Sequence, residues 1–281
     1  MPVHRNFFEL NEGMRSVPSS FTNPDDLNGK DHDPLARDPV DMERARAMIL
    51  AGTPPPQHWR PRITELDFSG ERGLRDLAPV AGLTALKILD VQNTQVADLS
   101  PIVGLSALQT LLLQGTPIDS LVPLAGLRAL EWLELRNTPI ADLTPVADLA
   151  NLEALLVQGT RIGDLTPIAG LSALENLDLG NTAVLDLAPI AGLTRLKWLD
   201  LGNMALEDIA PLAGLLALEW IDLEFTPVED LSPLIGLTGL RKLYLDVYQA
   251  EHVSVLAHLD KLEIHVEGEL IRQPAPHMRD R

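Results

Sequence analysis

The 281-residue chain contains no cysteine. Disulfides, thiolate metal sites and a cysteine nucleophile are thereby excluded, and the composition suits a reducing compartment. Aromatic residues are also scarce, at 4% of the chain, so the position of each ring carries information. Positive charge is short: 22 Lys and Arg stand against 40 Asp and Glu, a net charge of −18. That balance disfavours nucleic acid and anionic membranes and favours a basic or mixed-charge partner. No apolar run approaches the length of a membrane span. The opening MPVHRNFFELNEGMRS lacks the apolar core of a secretory signal, so no cleavable signal peptide is expected.

Catalytic signatures are missing as well. There is no G-x-x-x-x-G-K-[ST], no G-x-S-x-G and no H-E-x-x-H. His252, His258 and His265 fall close together but match no ligand spacing, so they are read as ordinary histidines of a terminal cap. The expectation is a protein that is not an enzyme, with no catalytic residues, no cofactor, no metal and no small-molecule substrate.

What the sequence does have is repetition. The stretch Leu86–Val96, LKILDVQNTQV, returns as LQTLLLQGTPI from Leu108, as LEWLELRNTPI from Leu130, and again from Leu152, Leu174, Leu196 and Leu218, with a degraded copy from Leu240. The period is 22 residues, and none is inserted or lost between Leu86 and Leu240. Between copies runs D-L-x-P-[LIV]-A-G-L, as in Asp98-Leu99-Ser100-Pro101. A fixed period of this length with L-x-x-L-x-L-x-x-[TN]-x-[LIV] marks a solenoid, whose units bury their core only by stacking.

On these motifs the chain resembles the leucine-rich repeat family, and within it the short bacterial repeats of the internalin type, over about residues 63–266. The resemblance implies an α/β solenoid: a right-handed arc with a parallel sheet on its concave face, short helical turns on its convex side and a helical N-terminal cap. It further implies non-catalytic protein recognition on the concave face. The alternatives are a regulatory adaptor subunit of a phosphatase, GTPase or ligase, and a self-associating structural protein. A cytoplasmic location is expected, or export as an effector without a cleavable signal.

In chain order, residues 1–33 lack periodicity and hold Gly13, Pro18, Pro24 and Gly29, with Phe7, Phe8, Leu10 and Phe21 as apolar exceptions. They read as an irregular, disordered segment: a mobile tail, or a segment that docks on its own solenoid or on a partner. Residues 34–62 read as a helical cap and linker. The helix is expected over 39–51, with Asp38 as N-cap, Pro39 in the first turn, and Val40, Ala47, Met48 and Ala51 on its apolar face. Gly52 stops it before Thr53-Pro54-Pro55-Pro56. Residues 63–267 form the solenoid and its C-terminal cap. The first repeat carries one extra residue around Ser69 to Gly73, since Phe68 lies one residue too early relative to Val91. A last strand is expected near Leu262–Val266, and residues 268–281 are expected to be a mobile tail.

Two recurring polar positions have structural readings. Asp76, Asp98, Asp142, Asp164, Asp186, Asp208 and Asp230, with Ser120 once in their place, travel with the repeat proline. They are expected to cap the short helical turn rather than to hold a cation. Thr94, Thr116, Thr138, Thr160, Thr182 and Thr226 stand where many members of the family carry Asn. The resemblance implies a hydrogen-bonded ladder there along the stacked turns, broken by Met204 and Tyr248.

The outward strand positions carry the functional reading. Side chains alternate along a strand, so Leu89 and Val91 face the core while Ile88, Asp90 and Gln92 face away. One outward column holds Trp132, Trp198 and Trp220, three of the four tryptophans. The next holds Glu134, Asp178, Asp200, Asp222 and Tyr244, and the third Arg136 and Glu224. Inward positions are already filled by Leu, Ile and Val, so core demand does not explain the rings. Exposed Trp beside Asp has the composition of a binding hot spot. Asp178, Asp200 and Asp222 at strand spacing repel one another, which a partner's Lys or Arg relieves. These residues are the candidate partner-binding set, and the expected partner is a basic, partly apolar protein surface or peptide.

Overall fold

The structure, a computed structural model, describes residues 40–272. The expectations for residues 1–33, for Asp38 and Pro39, and for 273–281 lie outside these residues. Eleven strands form one sheet in sequence order among the described residues. They are β1 (Glu65–Asp67), β2 (Ile88–Asp90), β3 (Thr110–Leu112), β4 (Trp132–Glu134), β5 (Ala154–Leu156), β6 (Asn176–Asp178), β7 (Trp198–Asp200), β8 (Trp220–Asp222), β9 (Lys242–Leu245), β10 (Glu263–Val266) and β11 (Glu269–Arg272). β1 to β10 run parallel, and β11 pairs antiparallel with β10. Register follows the repeat: Leu89 lies beside Leu111, which lies beside Leu133. β1 pairs Leu66 with Leu89, one residue out of phase with the rest, so the extra residue of the first repeat falls after Phe68.

Each strand is short because the chain must turn back within one repeat. On the far side, each turn is a 3₁₀ segment with proline in its first turn, such as Ser100–Ile102 and Thr166–Ile168. The repeated aspartate caps it. Asp98 Oδ1 accepts from Ser100 N at 2.7 Å, Asp164 Oδ1 from Thr166 N at 2.8 Å and Asp230 Oδ1 from Ser232 N at 2.8 Å. These bonds hold the Asp98, Asp164 and Asp230 carboxyls below the usual range, with the neighbouring hydroxyls and amides as the cause. Leu, Ile and Val from strand and turn fill the space between, forming one continuous core along the described chain.

The threonine column departs from the ladder that the resemblance implied. Thr94 Oγ1 donates to Val91 O at 2.7 Å, Thr138 to Leu135 O at 2.7 Å and Thr160 to Val157 O at 2.7 Å. Each hydroxyl therefore closes its own turn, three residues back. A side chain this short satisfies itself locally before it reaches the next turn.

Helix α1 spans Met42–Leu50 rather than 39–51, and Asp41 caps it, accepting from Arg44 N at 2.9 Å. Its buried face is Ala45 and Ile49, one helical turn apart, while Ala47 and Ala51 are exposed. Gly52, at φ 75°, ends it: Gly52 N bonds Ile49 O at 2.9 Å and Thr53 N bonds Met48 O at 2.8 Å. Ala45 and Ile49 join the same core as Trp59, Ile63 and Phe68. Arg46 Nε donates to Asp67 O at 2.9 Å, and its guanidinium pairs with Glu71 and lies 5.7 Å from the Phe68 ring. The helix covers the first repeat as a cap.

At the other end, α2 (Val247–Ala250) and a final 3₁₀ turn replace the regular repeat. The segment read as a tail from residue 268 is a strand as far as Arg272. Glu267 and Gly268 take φ 47° and 83°, the left-handed pair of a two-residue hairpin. Arg272 then donates to Leu256 O and Ala257 O, both at 2.9 Å, which ties β11 to the last turn. Among the described residues no helix is long and apolar enough to cross a membrane.

Candidate functional site

The outward face of the sheet carries the ten candidate residues, eight of them on β4 and β6 to β9 and Arg136 and Glu224 just beyond β4 and β8, as the alternation requires. Trp198 stands opposite Trp220, and Asp178, Asp200 and Asp222 are register partners in a row. Trp132 lies on β4 beside Ala154, away from the other tryptophans. Glu134, Arg136 and Glu224 also fall where the columns put them.

Their burial differs from the expectation. Trp198 and Trp220 are only 3% and 6% exposed, so they are not open anchors. Part of the reason is that the rings cover one another. Trp198 and Trp220 stack with centroids 4.5 Å apart and planes 17° apart. Tyr244 continues the run at 5.1 Å from Trp220, and His265 stacks on Tyr244 at 4.6 Å. Four strands thus share one aromatic run, with a spacing close to the ~4.8 Å between neighbouring strands. Sequence spacing alone makes His265 an ordinary cap histidine. The signal that places it here is register: it is the β10 partner of Tyr244.

The charges are likewise more engaged than the columns imply. Glu134 is fully buried, and Arg136 is 8% exposed. Arg136 Nε and Nη2 both donate to Glu134 Oε1, at 2.7 and 2.5 Å. These two belong first to each other. Asp200 Oδ1 accepts from Gly202 N at 2.8 Å, and Asp222 Oδ1 from Glu224 N at 2.8 Å. Asp178 does the same with Gly180 N at 3.1 Å, and Asp90 with Gln92 N at 2.9 Å. The acidic row caps the turns that leave the strands. This role is legible in the sequence, since an Asp two residues before a turn amide forms an Asx turn.

The row still carries electrostatic strain. Burial, and then the neighbouring Asp200 charge, hold the Asp178 carboxyl well above the usual range, with Arg136 opposing. Burial raises Glu134 as well, against Arg136. Burial, and secondarily Asp67 and Glu134, push Asp90 up to about 6, partly offset by its bonds to Gln92.

A pH profile follows. Raised carboxyls favour the fold when protonated, so their contribution grows as pH falls from about 7 toward the unfolded value of ~4. The capping aspartates are lowered, so their contribution is present above ~4 and is lost below it. The melting temperature should therefore rise on acidification from about pH 7 to about pH 5 and collapse below about pH 4. A thermal scan that falls monotonically from pH 7 downward would contradict this electrostatic picture.

The geometry defines a solenoid of leucine-rich repeats with a polar and aromatic sheet face. No protein-family model matches the chain, and no curated protein matches it in sequence. Among solved structures, internalin C2 of Listeria monocytogenes is 30% identical, with a TM-score of 0.66 over 73% of this chain and 92% of that one. An internalin, InlF, of the same organism is 22% identical, with a TM-score of 0.58 over 80% and 89%. A plant peptide hormone receptor in complex with RGF2 is 19% identical, with a TM-score of 0.60 over 73% and 36%, a likeness of fold alone. The chain belongs to the leucine-rich-repeat family, with repeats of the internalin type. It is a protein-interaction module.

Proposed function

We propose that the outward face of β4 to β9 receives a protein partner carrying basic and apolar side chains, with no chemistry performed on it. One observation carries this reading. Glu134 Oε2, Asn176 Oδ1 and Trp220 Nε1 are buried on that face and make no hydrogen bond among the described residues. Buried polar atoms normally find partners, and leaving them idle costs free energy. Two acceptors and one donor lie on β4, β6 and β8, so they recur every second strand, ~10 Å apart. An extended segment crossing the strands offers backbone N–H and C=O groups at every residue, and meets both kinds once the side chains covering those atoms turn aside. The aspartates of β7 and β8 add a negative field that suits Lys or Arg and speeds encounter. The stacked Trp198–Trp220–Tyr244 run supplies the apolar part only through the small ring edges that stay exposed.

The test is a titration of a captured partner against variants whose fold is checked by circular dichroism. The Trp198→Ala/Trp220→Ala double variant should bind at least tenfold more weakly, the scale of a hot spot at ~2 kcal/mol. Asp200→Asn should mainly slow association and flatten its salt dependence. A partner held equally tightly by the parent and the double variant would remove the sheet face from consideration.

A further inference from the structure

The residue that opens each turn after the strand sits in the left-handed region. It is Asn93, Gly115, Asn137, Gly159, Asn181 and Asn203 in successive repeats, with φ between 53° and 71°. Gly and Asn are the residues that accept this conformation at least cost. In the next repeat the position is Phe225, at φ 60°. A bulky side chain there is strained, and it is not repaid by burial: Phe225 is 53% exposed.

The next turn imposes that conformation. Phe225 N donates to Asp246 Oδ2 at 2.7 Å, and Asp246 is 7% exposed. The Tyr248 hydroxyl donates to Thr226 O, which pins α2 against the same turn. Val247 and Tyr248 open α2 and are themselves 57% and 44% exposed. Three apolar side chains thus stand in solvent on two turns that hydrogen bonds lock together. Their surroundings are acidic. Glu224 and Glu229 flank Phe225, Asp246 and Glu251 flank α2, and no Lys or Arg occurs in residues 223–229 or 246–251. Burial, and then the charges of Asp246 and Glu229, raise the Tyr248 phenol above its usual range. Strain held in place at an exposed aromatic residue is a pattern of functional sites rather than of stability.

We propose that Phe225, Val247 and Tyr248 form a second docking surface, at the turn edge and not on the sheet face, for a protein segment that sets an apolar side chain between Lys or Arg residues. The surface is rigid before contact, because both turns are already tied. The cationic flanks of the segment meet Glu229 and Glu251, while its apolar residue covers the Phe225 ring.

The test is Phe225→Asn, which gives this turn the residue its neighbours use. The probe is a phage-displayed library of random dodecapeptides, panned on the full chain. Enriched peptides should carry an apolar residue flanked by Lys or Arg. Their affinity should fall at least tenfold for Phe225→Asn and for Val247→Asp, and should be unchanged for the Trp198→Ala/Trp220→Ala variant. The melting temperature of Phe225→Asn should equal or exceed that of the parent. Failure to enrich such peptides overturns the proposal, as does equal binding by Phe225→Asn or a lower melting temperature for it. Peptides that lose affinity only for the tryptophan variant also overturn it, while leaving the sheet-face reading standing.

Discussion

Arg136→Gln alone should destabilise the solenoid by about 3–5 kcal/mol, the cost of leaving a buried charge without its partner. Glu134 is fully buried, and its Oε1 takes both of the guanidinium bonds that hold it. Removing Arg136 strands that carboxylate among apolar strands. The neighbouring repeats show how the site is filled without charge: Leu112 and Leu156 replace Glu134, and Gln114 and Gln158 replace Arg136. The double variant Glu134→Leu/Arg136→Gln therefore makes three consecutive strands alike and should recover nearly all of the loss. Urea unfolding of the two variants beside the parent measures this. The single-variant deficit should also shrink as the pH is lowered, because a protonated Glu134 tolerates burial. A double variant as unstable as the single one would show that the pair does something other than satisfy itself.

The second large effect is expected at the C-terminal end. Gln249→Ala should cost about 3 kcal/mol or more, through orphaned backbone groups and a cavity. In regular repeats a backbone amide of the next turn serves the carbonyl: Arg161 N bonds Ile140 O and Ala183 N bonds Ile162 O, both at 2.8 Å. Gln249 occupies the corresponding position, but α2 diverts its backbone. Its side chain takes over, with Nε2 3.2 Å from Val228 O and also within reach of Leu223 O and Thr226 Oγ1. Its Oε1 accepts from Asp246 N at 2.8 Å, so the same residue caps α2. The loss should appear in hydrogen exchange as fraying of β9 to β11 before β2 to β6. Uniform destabilisation along the array would speak against an end cap.

The features that sequence made legible are the ones set by local chemistry. The 22-residue spacing places each strand, and alternation assigns Leu89 inward and Asp90 outward without reference to any neighbour. Asp98 caps a turn two residues away, and Gly52 ends α1 because the left-handed position there suits glycine. The slips at α1 are local too: Asp38 and Asp41 both suit a cap, and only the packing of Ala45 and Ile49 on the first repeat selects the start. The hairpin at Glu267–Gly268 was open to reading as a turn, yet β11 exists because Arg272 finds the carbonyls of a turn folded 15 residues earlier.

The outward face was decided by tertiary structure. Its columns were correct as positions but wrong as a measure of exposure. Whether Trp198 stands open or lies on Trp220 depends on a rotamer chosen by a ring 22 residues away. Whether Asp178 is an ordinary carboxylate depends on Asp200 beside it and on the depth at which both sit. Arg136 reads as an open cation until its guanidinium is seen turned onto Glu134. A linear pattern encodes which side of the strand a residue leaves from, because that is a property of the backbone. It does not encode which neighbour the side chain then meets, because stacking brings together residues a full repeat apart and their burial is set by both.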